Sequence, residues 1–196
     1  MTYIESEPYP WPYDGDLSAS RIAFLWCGAQ HYWRERTVDS DSALVAAAKV
    51  AVACSVTIAM RHECVPGSRM ARCMPVERSS EAELVPEAAS SSIVLSTAGL
   101  NGFYQSRLDA ELRARGIDRL VIGGLGLEGP VHSTMRSAND RGYECLVLTD
   151  GCAPQVADLM HASFHTIAMS GGIFGAFAPA SAVLDALTIQ SSGGSS

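Results

Sequence analysis

Along this chain, continuous apolar runs of strand length alternate with longer segments of helical character. Residues 21–27 (RIAFLWC) form the first such run, bounded by turn signals, which is the pattern of a strand buried on both faces. Asp39 and Ser40 then open DSDSALVAAAKVAVACS, where a capping residue precedes an alanine-rich helix. Further strands are expected at 55–60 (SVTIAM), 92–96 (SIVLS), 120–123 and 143–149, with a loop carrying Pro66, Gly67 and Pro75 between the second and third. Helices are expected at 106–115, stopped by Gly116, and at 131–141, stopped by Gly142. Residues 155–169 read as a helix, 172–177 as a short apolar segment and 180–187 as a last helix.

This alternation predicts an α/β fold, a three-layer α/β/α sandwich around a mostly parallel, Rossmann-like central sheet. Ligands bind such sheets beyond the carboxyl ends of the strands. That places the expected pocket near residues 27–30, 60–62, 97–102 and 124–130. Residues 1–16 read as an N-terminal arm, 17–188 as a single domain, and 189–196, ending SSGGSS, as a low-complexity tail expected to be disordered.

Composition narrows the partners. With 196 residues, 47% of them hydrophobic, the chain can bury one sizeable core. The formal charge is -7 and the 13 arginines are scattered, so nothing resembles a phosphate-tracking surface and no nucleic-acid partner is expected. The N-terminus is acidic and proline-broken, with no signal-peptide pattern, and no run of about 18 apolar residues suggests a membrane span. A cytoplasmic protein is expected. The six cysteines, Cys27, Cys54, Cys64, Cys73, Cys145 and Cys152, contain no C-x-x-C pair and read as reduced structural thiols.

Residues 119–154, RLVIGGLGLEGPVHSTMRSANDRGYECLVLTDGCAP, resemble the active-site strand, turn and helix of the isochorismatase-like cysteine hydrolases, typically G-V-A-T-D-V-C-V-x-S-T followed by D-R-G-Y. RIAFLWCGAQ resembles the family's first strand, R-x-A-L-L-V-I-D-M-Q. ELVP at 83–86 and NGFYQSRL at 101–108 resemble its E-L-x-P and S-A-F-x-G-T-D-L elements. In this register the family's catalytic Asp, Lys and Cys fall on Gly28, Thr97 and Pro130. The resemblance therefore implies that the standard triad is absent. Proline also lacks the backbone N–H that, in the family, helps form the oxyanion hole. The chain's single lysine, Lys49, sits in the first helix and cannot be relocated from a neighbouring loop.

The resemblance also implies which groups remain. Gln30 falls on the family's glutamine and either orients a carbonyl or bonds loop backbone. His31 is either a general acid or base or an exposed loop histidine. Glu128, at the family's Asp/Asn position, is either a proton acceptor or a binder of turn amides. These three are the catalytic candidates. Trp26, Gly28, Tyr32, Thr97, Phe103, Tyr104, Leu127 and Pro130 are the expected pocket lining, with Trp33 adding to the aromatic cluster. His132, the His161 and His165 pair, and Cys27 read as structural or interface residues. Only His62 and Glu63 offer metal-ligand types beyond the second strand, fewer than a zinc site requires, so no metal and no cofactor are expected.

Two functions from different classes stay open. One is a repurposed, cofactor-independent enzyme acting on a small cyclic or aromatic metabolite by cyclisation, isomerisation, elimination or hydrolysis. This requires His31, Glu128 or Gln30 to converge on a pocket. The other is a non-catalytic relative that binds a small molecule or a partner subunit, with a collapsed pocket or one with no titratable group facing inward. A conventional hydrolase is a third alternative, and the resemblance implies a homo-oligomer, dimer or tetramer.

Overall fold

The computed structural model describes residues 2–193. Six strands form one sheet in the order β3-β2-β1-β4-β5-β6, with every neighbouring pair parallel. They are β1 (Ile22–Cys27), β2 (Thr57–His62), β3 (Ile93–Thr97), β4 (Arg119–Leu125), β5 (Glu144–Ala153) and β6 (Ala176–Ala178). The helices are α1 (His31–Arg34), α2 (Ser40–Ala53), α3 (Pro86–Ala89), α4 (Leu108–Ala114), α5 (His132–Asp140), α6 (Leu159–Met169) and α7 (Ala180–Gly193). This is the expected three-layer α/β sandwich.

Alternation of side chains along β1 divides the core into its two layers. Ile22, Phe24 and Trp26 face a cluster containing residues of α2 and α7, while Ala23, Leu25 and Cys27 face one containing residues of α4, α5 and α6. The alanine-rich sequence of α2 lets its backbone lie close on the sheet. A Cβ at Gly123 would stand 3.0 Å from that of Ala47. Asp39 occupies the N-cap position of α2, but in the left-handed conformation (φ 51°, ψ 27°), and its side chain makes no capping bond. The expected side-chain cap is corrected on that point.

Several elements differ in extent from the sequence reading. β2 begins two residues late and runs on to His62, which brings that histidine into the sheet instead of the following loop. β5 continues to Ala153, beyond the expected end at Thr149. The helix expected at 131–141 is preceded by a π-helical turn, Leu127–Val131, with Pro130 inside it. The backbone of α7 extends to Gly193, into the segment expected to be a tail. Residues 194–196, with Met1, lie outside the described residues.

The N-terminal arm is part of the fold. Glu7 and Phe177 exchange both backbone hydrogen bonds, at 3.0 and 2.8 Å, so the arm pairs antiparallel at β6. Trp11 and Ile4 are buried in the cluster against α2 and α7. Arg119, only 2% exposed at the start of β4, reaches both carboxylate oxygens of Asp14 at 2.6 Å and donates to the Asp16 carbonyl. A buried guanidinium requires such bidentate partners. Trp11→Ala is expected to cost about 3–5 kcal/mol of stability through the cavity it leaves, read as a lower urea midpoint. A cost under about 1 kcal/mol would show the arm to be a dispensable appendage.

Candidate functional site

The carboxyl ends of β1 and β4 approach so closely that glycine is obligatory at two positions. Gly124 lies opposite Cys27 in the register, and a Cβ there would fall 1.8 Å from the Cys27 carbonyl oxygen. Gly28, the next residue after β1, has φ +64°, and its Cβ would meet the Leu125 carbonyl oxygen at 2.3 Å. No L-residue fits that conformation in that space. The Pro130 ring stands 3.4 Å from the same point. Two of the three positions marked by the family resemblance are thus packed against each other.

The rest of this region is filled from above. Pro130 and the Trp33 indole flank Gly126, whose Cβ would lie 3.0 Å from the proline Cδ and 2.9 Å from an indole carbon. Leu100 and Trp33 close over Gly129 at 3.8 and 4.0 Å. Leu127 and Pro130 are buried. Proline is tolerated inside the π-helical turn because N–H groups at a helix start have no intrahelical acceptor in any case.

Thr97, the third marked position, is buried at the end of β3, and its single hydroxyl is shared between the carbonyls of Asn101 (2.7 Å) and Tyr104 (2.6 Å). It serves to fold the loop after β3. Beside it lies a hollow of about 160 Å³ whose lining includes Glu63, Glu77, Ser96, Thr97 and Gln105.

The three catalytic candidates do not converge. Gln30 is buried, donates from Nε2 to the Ala82 carbonyl (2.9 Å) and accepts the His62 amide N–H at Oε1 (2.9 Å). Both ends of its amide are spent on backbone, stitching Ala82, just before the ELVP segment, to β2. His31 opens α1 with its side chain exposed. Glu128 accepts the Gln155 amide N–H at 3.0 and 3.4 Å, tying the turn after β4 to the segment after β5.

The aromatic lining also disperses. Phe103 is buried against Tyr143 (ring centroids 5.7 Å apart) in the layer of α4 and α5. Trp26 is buried in the opposite layer, edge-on to Phe24. Tyr32 is covered by the Arg36 guanidinium 3.9 Å above its ring, and Tyr104 is half exposed. Trp33, which the sequence grouped with them, packs beside Gly126 and Gly129 in the turn that carries Pro130. His161 and His165 stack at 6.0 Å on the exposed face of α6. Among the described residues, no three His, Cys, Asp or Glu side chains group as metal ligands would.

One group escaped the sequence reading. His62 is fully buried, and its Nδ1 lies 3.1 Å from the Gly99 carbonyl. A carbonyl only accepts, so Nδ1 carries the proton and Nε2 presents a lone pair. Nε2 has no hydrogen-bond partner. Burial disfavours the charged ring and pushes its pKa down to about 4, against the opposing effect of the Gly99 and Leu100 carbonyls. The two-residue extension of β2 is what placed this ring in the sheet, and no periodicity in SVTIAMRH signalled it. Cys27, by contrast, is inert: burial pushes its thiol up to about 12.

The family model for the isochorismatase domain matches residues 23–177. The chain is 30% identical over 103 residues to the uncharacterized isochorismatase family protein YecD of Escherichia coli O157:H7, covering 47% of this chain and 55% of that one. It is 34% identical over 109 residues to the ureidoacrylate amidohydrolase RutB of Variovorax paradoxus, covering 52% and 42%. The matched stretch thus spans about half the length of these curated relatives. Among solved structures, a cysteine hydrolase from Pseudomonas syringae pv. phaseolicola superposes with a TM-score of 0.78 at 20% identity, covering 88% of this chain and 95% of that one. N-carbamoylsarcosine amidase from Thermoplasma acidophilum gives 0.69 at 21% identity, covering 82% and 96%. At these identities the superpositions speak for the fold.

Two measurements test this geometry. Gly28→Ala is expected to destabilise the protein by about 2 kcal/mol or more, since it adds left-handed strain to a backbone clash. An unchanged melting temperature would refute the close approach. His62 is held neutral in the fold but titrates near 6.5 when unfolded, so the unfolded chain binds the extra proton between these values. Its contribution to stability is full above about pH 6.5 and is lost as pH falls toward 4. Between pH 7 and 5 it accounts for about 2 kcal/mol, and His62→Gln should flatten the urea midpoint over that interval. An unaltered pH slope in the variant would assign the loss to other groups.

Proposed function

Since the chain belongs to the isochorismatase family, we propose that it is a non-hydrolytic member of that fold that binds a small polar molecule. The observation that carries this reading is the packing of Pro130 against Gly28, where the family resemblance places the attacking cysteine and the aspartate. In that register a glycine and a proline supply neither an attacking atom nor a proton shuttle, which supports the reading. The ligand class is read from the hollow beside Thr97, whose lining sets the Glu63 and Glu77 carboxylates, the Gln105 amide and the Ser96 and Thr97 side chains beside the apolar Cys64, Val65 and Ala98, which suits a compact molecule with hydrogen-bond donors and a small apolar part.

His62 favours a second reading, a repurposed enzyme. A neutral imidazole with an unpartnered Nε2 lone pair is able to accept a proton from a substrate that reaches it, weakly because burial lowers its pKa to about 4. In that case His62, rather than His31, Glu128 or Gln30, holds the proton, and Gln30 positions it through the bond to the His62 amide.

The protein is to be assayed for hydrolysis of ureidoacrylate, N-carbamoylsarcosine and isochorismate beside a triad-bearing relative, together with a thermal-shift screen of small polar and cyclic metabolites. The expected outcome is hydrolysis at the buffer rate together with a raised melting temperature for at least one donor-rich compound, since a binder stabilises whether or not it is turned over. Hydrolysis above background that survives His62→Gln would reinstate the conventional hydrolase. Any turnover abolished by His62→Gln, with binding kept, would establish the second reading.

A further inference from the structure

Helix α2 is apolar over more of its surface than the sheet covers. Ten of its 14 residues are alanine, valine or leucine, and its inner face, Ala43, Leu44, Ala47, Val50 and Ala51, is buried in the core. A helix lying on a sheet ordinarily turns a polar face outward. Here the outward face carries Val45, 53% exposed, and Val52, 88% exposed. Seven residues apart, they lie on one stripe two turns long. A helix with apolar residues all round is one that is covered all round, and the described residues leave this stripe open.

The charges beside the stripe indicate what covers it. Within α2 only Asp41 and Lys49 are ionised. Each stands four residues from Val45, about 6 Å along the axis in opposite directions. Lys49, the chain's single lysine, is exposed and takes part in no ion pair among the described residues. Asp41 receives both Arg34 nitrogens (2.9 and 2.8 Å) on Oδ1, and its side chain is still 76% exposed. When a second α2 is laid antiparallel on the first with the two Val45 side chains in contact, Lys49 of each copy stands level with Asp41 of the other. Val52 reaches the start of the opposing helix, where Val38 is exposed as well. Copies of a chain with a net charge of -7 repel each other, whereas the outer face of α2 sums to zero and sets opposite charges together when it meets itself.

We infer that the outer face of α2 is the contact surface of a two-fold symmetric dimer of this chain, with the two helices packed antiparallel about Val45. Such a contact is self-complementary, each residue meeting its counterpart across the axis. The alanines on either side of the stripe let the helix axes approach to about 8 Å. At about 21 Å the helix is short for a permanent interface, so the dimer is a transient one that forms and dissociates reversibly.

The test is sedimentation equilibrium of the full chain from about 1 to 500 µM at about 0.15 M salt. A monomer–dimer equilibrium with a dissociation constant of about 100 µM or tighter is expected. Val45→Glu, which sets two carboxylates against each other on the axis, and Val52→Glu should each weaken it at least about tenfold. Both positions are exposed and glutamate is a good helix former, so the urea midpoints should stay unchanged; should one variant fail to fold, the other carries the test. Lys49→Glu should weaken the dimer about fivefold, and Asp41→Lys added to it should restore the affinity to within about twofold. A monomer at every concentration, a dimer indifferent to Val45→Glu and Val52→Glu, or a Lys49→Glu defect that Asp41→Lys leaves unrepaired overturns the assignment.

Discussion

The close approach of β1 and β4 at their carboxyl ends is the constraint on which the rest of this molecule depends. In a parallel sheet with this strand order, these two central strands diverge to opposite connections, and the crevice between them is where such folds bind ligands. Here Gly124 and Gly28 let the backbones come into contact, and a methyl group at either would overlap a carbonyl oxygen. The π-helical turn carrying Pro130 lies against Gly28.

From that contact the organisation of the neighbouring loops follows. Trp33 folds down over Gly126 because no side chain rises there. Gln30, on the same segment, holds the loop through Ala82 and the end of β2 through the His62 amide. Glu128 fastens the turn after β4 to Gln155. These polar residues serve the loops, and the orphaned Nε2 of His62 is the unsatisfied remainder of this arrangement. In a buried network an unpaired atom is costly, and the Trp33 Nε1 shares that condition with it.

The opposite end of the sheet is governed by charge. Arg119 is buried at the start of β4 and its terminal nitrogens are bound by the arm, through Asp14 and the Asp16 carbonyl, while Arg21 links Asp16 to Asp118. Removal of the arm would leave the buried guanidinium with Glu144, 4.0 Å from its Nε, in place of the close Asp14 contacts. The arm therefore belongs to the same cooperative unit as the sheet it borders.

The sequence by itself determined the layered α/β architecture. Runs such as RIAFLWC must bury both faces, and the alanine-rich segment that follows has the period and composition of a helix lying on a sheet. It also determined which residue types stand at Gly28, Thr97 and Pro130, because motif register is a local property of the chain. The disposition of Gln30, Glu128 and the aromatics was decided only by tertiary structure. Each had two readings at the level of residue type, and the choice rested on partners distant in sequence, such as Ala82 for Gln30 and Gln155 for Glu128. The burial of His62 was likewise set by how far β2 extends beside β3, a pairing that no local pattern encodes. Local periodicity fixes what a segment can bury, whereas a polar side chain's role depends on which backbone groups the fold brings within 3 Å of it.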